Sequence, residues 1–110
     1  MTSGNLKLNL ARVKDKELYS LIAIRNGGRT TMRILDELLI NPKNANQLAN
    51  ILDLDYKTIT YHLDIVCRHK YVSKEKFDNY YSYHPSDKLI RNLDEYIIIR
   101  NQLEKEHVKG

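Results

Sequence analysis

Apolar residues recur at helical spacing through most of this chain and switch to alternation in one short region, which predicts a mainly helical protein with a small β-hairpin. Asp15 caps a short helix running through Arg25, with Leu18, Leu21, Ile22 and Arg25 on one face, and Asn26-Gly27-Gly28 stops it. Thr30 or Thr31 restarts a helix whose Ile34, Leu35, Leu38 and Leu39 form an apolar stripe ending at Asn41-Pro42. Asn44 then caps a third helix, Gln47 completes a capping box, and Leu48, Ile51 and Leu52 share its inner face. After a polar break at Asp53 to Asp55, Asp55 caps a fourth helix with Ile59, Leu63 and Val66 turned inward. Alternation takes over from Tyr71 to Phe77 and from Tyr80 to Tyr83, flanking Asp78-Asn79, which reads as a hairpin with Tyr71, Phe77 and Tyr83 in the core. Ser86, following Pro85, caps a long final helix with Leu89, Leu93, Tyr96, Arg100 and Leu103 on one face beside Ile90 and Ile97. The opening run Leu6, Leu8, Leu10 alternates like a strand but equally extends the first helix, so residues 1–14 are expected to form an arm of open conformation.

Two short amphipathic helices joined by a tight polar turn, from Asn44 to Val72, are the layout of a helix-turn-helix that reads DNA. With Ile59, Leu63 and Val66 inward, the fourth helix turns Tyr56, Lys57, Thr60, Tyr61 and Asp64 outward along the side a major groove would meet. The hairpin that follows carries Lys74 and Lys76 at alternate positions, hence on one face, where they can straddle a minor groove. The candidate DNA contacts are therefore Tyr56, Lys57, Thr58, Thr60, Tyr61, His62, Arg68, Lys74, Lys76 and Tyr80. Each has a plainer reading as a solvated surface residue, and His62, between the inner and outer sides, reads as a packing or phosphate-contacting histidine.

The segment TITYHLDIVCRHKYV resembles the recognition-helix pattern of ArsR-type winged helix-turn-helix regulators at Thr58, Ile59, Thr60, His62, Leu63, Val66 and Tyr71-Val72. It departs from that pattern at His69 and Lys70, where such regulators usually carry a small residue and a glycine before the strand. Upstream, GRTTMRILDELL from Gly28 is similar to the helix that opens their winged domain. The resemblance covers about two thirds of the chain and implies a winged helix-turn-helix; with the elements read above, this domain is expected over residues 15–85, followed by a dimerisation helix over residues 86–110 packed on the same domain. Several members of that family bind metals, but their cysteine-pair site has no counterpart in the first helix of this helix-turn-helix. In their second site, Asp94 and His107 match the spacing while Tyr96 and Gly110 occupy the other two positions, so no metal or other cofactor is expected.

Composition narrows the alternatives. A chain of 110 residues with 42% hydrophobic content holds one modest core. No run approaches the length of a membrane span, the N-terminus has no signal-peptide core, and the single Cys67 cannot make an internal disulfide, which together predict a cytoplasmic protein with no membrane partner. A net charge of +4 favours an anionic partner, yet residues 43–85 hold six Lys/Arg against five acids, so the helix-turn-helix itself is only slightly basic. Arg25, Arg29 and Arg33 are expected to help if their helix ends near the duplex backbone. The chain has neither a glycine-rich phosphate loop nor a nucleophile elbow, and the expectation is a non-enzyme. The final helix is apolar over two adjoining stripes, more than one small domain needs, which predicts a homodimer through that helix. Two functions remain open: a dimeric sequence-specific regulator of double-stranded DNA, or a winged-helix protein-interaction module without DNA binding.

Overall fold

A computed structural model describes residues 13–109, and the side chains of residues 13–105. The arm expected over residues 1–14 thus lies outside the described residues except for Val13 and Lys14. The first helix begins where Asp15 accepts from the Leu18 amide at 3.0 Å. It is α-helical only over Lys16–Tyr19 (α1) and widens into a π-turn over Ser20–Ile24, closed by the Arg25 amide on the Ser20 carbonyl at 2.9 Å. Gly27, in the left-handed region at φ 88°, reverses the chain within one residue, so α2 spans Gly28–Ile40 and starts earlier than Thr30. Gly28 is obligatory for packing, because a Cβ there would stand 1.9 Å from the Ile22 carbonyl oxygen.

The helix-turn-helix consists of α3, Ala45–Leu52, and α4, Tyr56–Arg68. The capping box on α3 is complete, with Gln47 N to Asn44 Oδ1 and Asn44 N to Gln47 Oε1 both at 2.8 Å. Asp53 turns the chain in the left-handed region at φ 55°, and Asp55 caps α4 by accepting from the Thr58 amide at 3.1 Å. Leu48, Leu52, Ile59, Leu63 and Val66 are buried, whereas Ile51, expected beside them, is exposed. On so short a helix the buried arc covers Ala45, Leu48 and Leu52, and Ile51 falls just outside it.

The wing is an antiparallel pair, β1 Val72–Phe77 and β2 Tyr80–Pro85, registered from Val72 opposite Pro85 to Phe77 opposite Tyr80. A third segment joins it. Lys43 exchanges both main-chain hydrogen bonds with Tyr83, at 3.1 and 2.8 Å, tying the stretch before α3 to the root of the hairpin. The Lys43 ammonium folds back onto the Glu37 carbonyl and the Asn41 side chain, both at 2.8 Å, which places a cation at the C-terminus of α2.

The long helix expected from Ser86 is two helices. Ser86 caps α5, Asp87–Arg91, and α6 runs Leu93–Lys109. The break is at Asn92, whose side-chain amide donates to the Lys88 carbonyl at 2.9 Å, a local bond of the kind that lets asparagine compete with the helix ladder. The core gathers α1, α2, α4 and α6 around Leu18, Ile34, Leu35, Ile59, Leu63 and Ile99. On the final two helices Leu89, Tyr96, Ile99 and Leu103 are buried, but Ile90 and Ile97 are 52% and 44% exposed.

Candidate nucleic-acid interface

Because Ile59, Leu63 and Val66 point into the core, geometry puts Lys57, Tyr61 and Asp64 in solvent on the opposite side of α4, while Tyr56, in the first turn, is exposed toward the wing. Thr58 and Thr60 are half-buried at its edges, and the Thr60 hydroxyl donates to the Lys57 carbonyl at 3.1 Å. Arg68 is exposed in the last turn. Hydrogen bonds from Thr58 hold the Asp55 carboxyl below its ordinary range, so the cap stays charged and satisfies the start of the helix.

His62 is an exception among the sequence candidates. Its side chain is interior, 6% exposed, with Nδ1 3.2 Å from Thr31 Oγ1 and 3.2 Å from the Arg25 guanidinium, which also donates to Thr31. Burial, and then the Arg25 charge, push its pKa below the ordinary imidazole value, so the ring is neutral. It meets Tyr61 edge-on, ring centroids 5.2 Å apart, and so braces the outward tyrosine from behind. A direct phosphate contact by His62 is excluded in this conformation. Arg25 belongs to the same cluster, and the Arg33 guanidinium donates to the Leu52 carbonyl at the end of α3 at 3.4 Å; Arg29, the third upstream arginine, is exposed and makes no such hydrogen bond among the described residues.

The hairpin stands beside α4. Its Lys74 and Lys76 are exposed, with the Lys74 ammonium 4.6 Å from the centre of the Tyr81 ring, a cation–π contact. Lys76, Tyr80 and Tyr81 form one wall of an open groove of about 390 Å³, and Tyr56 with Asn44 and Asn46 forms the other. Lys76 and Tyr80 from the wing and Tyr56 from α4 thus meet across one groove, while Lys57, Tyr61, Asp64 and Arg68 follow one another at helical spacing along the outer side of α4. At the root, burial raises the Tyr83 hydroxyl to about 12 and lifts the Cys67 thiol above its ordinary value, so both stay protonated.

Phe77 is not in the core. It is 44% exposed and stacks on Tyr80, itself 46% exposed, with ring centroids 5.2 Å apart and planes 17° from parallel. Sequence alternation placed it with Tyr71 and Tyr83, but it lies next to the turn, one hairpin length from the buried root. Its position beside Asp78-Asn79 is the signal that identifies it as a tip residue.

Among the described residues no group of three or more His, Cys, Asp or Glu gathers as a metal site. The His107 and Gly110 positions of the spacing comparison lie outside the described side chains. No helix of the described residues is long and apolar enough to cross a membrane.

A helix-turn-helix followed by a two-stranded wing, with a helical layer behind it, makes this a winged helix-turn-helix fold. No protein-family model and no curated protein matches the sequence. Solved structures do match. The transcriptional regulator HlyU from Vibrio vulnificus CMCP6 is similar with a TM-score of 0.59 and 19% identity, over 94% of this chain and 97% of that one. The MarR protein from Peptoclostridium difficile DA00132 is similar at 0.60 and 25% identity, over 96% and 67%. MepR of S. aureus, solved as a complex with DNA, is similar at 0.62 and 17% identity, over 99% and 87%. Their names, a transcriptional regulator, a MarR protein and a DNA complex, do not single out the ArsR-like type.

Proposed function

We propose that this chain is a dimeric winged helix-turn-helix transcription regulator that binds double-stranded DNA sequence-specifically, acts in the cytoplasm and needs no cofactor. The observation that carries the reading is the outer side of α4, where Lys57, Tyr61 and Asp64 are exposed and do no packing work, while exposed Tyr56 faces the wing across one groove. A similar structure, MepR, is a DNA complex. In this reading residues 15–85 form the DNA-binding unit and residues 86–110 the assembly helices. Tyr56, Lys57, Thr58, Thr60 and Tyr61 contact the major groove, Arg68, Lys74 and Lys76 contact phosphates, and Tyr80 borders the adjoining strand. The narrower likeness to ArsR-type regulators rests on the residues from Thr58 to Val72 alone.

The test begins with selection of bound fragments from random duplex DNA. Alanine at Thr60 and Tyr61 is expected to cost about 1 to 3 kcal/mol for the preferred site at each base contact, with folding intact. Lys57→Glu is expected to weaken all duplexes and lower the salt slope by about one. Unchanged site preference in the folded double variant would sink the α4 assignment. The second reading, a protein-interaction module, is favoured by the near balance of charge over residues 43–110, eleven Lys/Arg against ten acids. It requires that the full chain bind no duplex even at low salt.

A further inference from the structure

We propose that the stacked Phe77–Tyr80 pair at the wing tip is a wedge that enters the minor groove beside the site read by α4 and partly unstacks a base step there. The inference rests on the DNA-binding reading and adds the mode of contact at the tip.

The root of the hairpin is held without these rings, whose cross-strand stack adds only a few tenths to about 1 kcal/mol at the tip. Tyr71 and Tyr83 are buried at the root, Lys43 adds main-chain bonds there, and the register holds out to Phe77 opposite Tyr80. Yet the two rings remain about half in water, stacked on each other on either side of the turn, so that they present one apolar slab at the farthest point of the strands. Burying a ring of this size fully is worth roughly 1.5 to 3 kcal/mol, which a partner at the tip can still supply.

Charge selects the kind of contact. The lysines lie on the other face of the ribbon, with Val72, Tyr81 and Tyr83; the groove shared with α4 is bordered by Lys76 and, at the tip, also by Asp78, Asn79 and Tyr80. The face carrying Phe77 and Tyr80 has Ser73, Glu75, Ser82 and His84, and the turn adds Asp78 and Asn79. Glu75 and Asp78 oppose phosphate, so the favourable contact open to the tip is apolar. Reach selects the partner. Six residues at about 3.4 Å each carry the tip roughly 20 Å from the root, enough to cross a phosphate backbone from a helix in the major groove to the next minor groove. Apolar side chains delivered to that position act by partial insertion between base pairs, favoured at flexible pyrimidine–purine steps.

The experiment uses the full chain and a duplex of about 30 base pairs selected from a random pool by the parent protein. Dyes at the two ends report bending, and a fluorescent adenine analogue stepped through the flank reports unstacking. The parent is expected to bring the ends closer and to brighten the analogue at one step outside the α4 footprint. The pair of changes Phe77→Ser and Tyr80→Ser should abolish both signals and lower affinity roughly tenfold, the equivalent of about one lost stacking contact, while the base preference under α4 is kept. Phe77→Leu with Tyr80→Leu keeps an apolar tip and should retain the bend. Circular dichroism checks that each variant is folded. A parent complex that is straight and dark at every step, or a serine variant that bends DNA as the parent does, overturns the wedge and leaves DNA binding standing. Tighter binding to the single strand than to the duplex, lost in the serine variant, overturns it in favour of a single-strand stacking platform. Failure of the parent to bind any duplex at low salt removes the function reading itself and the wedge with it.

Discussion

Lys70 takes φ 68°, the left-handed conformation that a glycine adopts most cheaply, in the three-residue link between α4 and the strand. This is where ArsR-type sequences usually have glycine, so the departure in sequence leaves the backbone path intact and is absorbed as strain. Lys70→Gly is expected to stabilise the protein by about 0.5 to 1 kcal/mol, since the side chain is exposed and the relief of strain exceeds the added freedom of the unfolded chain. Urea denaturation checks it, and a loss of stability would show that the lysine makes contacts that matter. His62 gives a second test. Its folded pKa lies below the ordinary 6.5 because of burial and Arg25. Above 6.5 both folded and unfolded chains carry a neutral ring and nothing is lost. Below it the unfolded chain takes up a proton that the folded ring refuses, so stability falls as the pH drops from the unfolded toward the folded pKa. Urea midpoints measured from about pH 7 to about pH 5.5 should fall in the parent and fall less in His62→Gln. Equal slopes would mean that His62 does not control this range.

The helices are held in register by polar ties as well as by their apolar faces. Tyr96 on α6 donates to the Met32 carbonyl at 2.9 Å and to Asp36 at 2.6 Å, and Arg100, one turn on, holds both oxygens of Asp36 at 2.9 Å. Burial and the Asp36 carboxylate raise the Tyr96 hydroxyl far above its ordinary value, so it acts as a donor throughout the accessible pH range. Tyr96→Phe leaves the ring packed and the Arg100 pair in place but removes the donor to a buried carbonyl. Its expected cost is about 1 to 2 kcal/mol by thermal or urea unfolding, and a cost near zero would mean that the apolar face alone seats α6 on α2. A similar cluster fixes the other end. The Tyr71 hydroxyl reaches Asp15 at 2.7 Å, Lys88 lies 4.1 Å from the centre of its ring, and Glu17 pairs with Lys88 and His69 at 2.8 and 2.6 Å. The start of α1, the root of the wing and α5 are thereby joined.

Ile90 on α5 and Ile97 on α6 lie outside the core of their own domain, while Leu89, Tyr96, Ile99 and Leu103 are inside it. Removing both final helices would therefore open the core, and point changes are the sharper probe of assembly. In the dimer reading, Ile90→Glu with Ile97→Glu should leave a folded monomer whose DNA affinity drops steeply, because the second half-site contact is lost. Light scattering and helical content measured together check this. An unchanged assembly state in the double variant places any interface elsewhere, and a parent that is monomeric at micromolar concentration removes the dimer.

How much of this molecule can be read from its sequence follows from how local each cause is. Asn44 with Gln47, Asp55 and Ser86 announce helix starts because a cap needs only the next three residues, and the winged helix-turn-helix follows from the periodicity between them. The outward side of α4 was likewise legible once its inward residues were known. What lay beyond reach depends on distant partners or on distance from the core. The π-turn at Ser20–Ile24 accompanies a close approach to Gly28, the strand contact of Lys43 needs Tyr83, and the interior place of His62 needs Arg25 and Thr31. Alternation alone cannot say how far a strand projects past its core, so Phe77 and Tyr83 share a pattern while one stands at the tip and the other at the root. Local propensity and periodicity decide which elements form; only their packing decides which face of each is left for a partner.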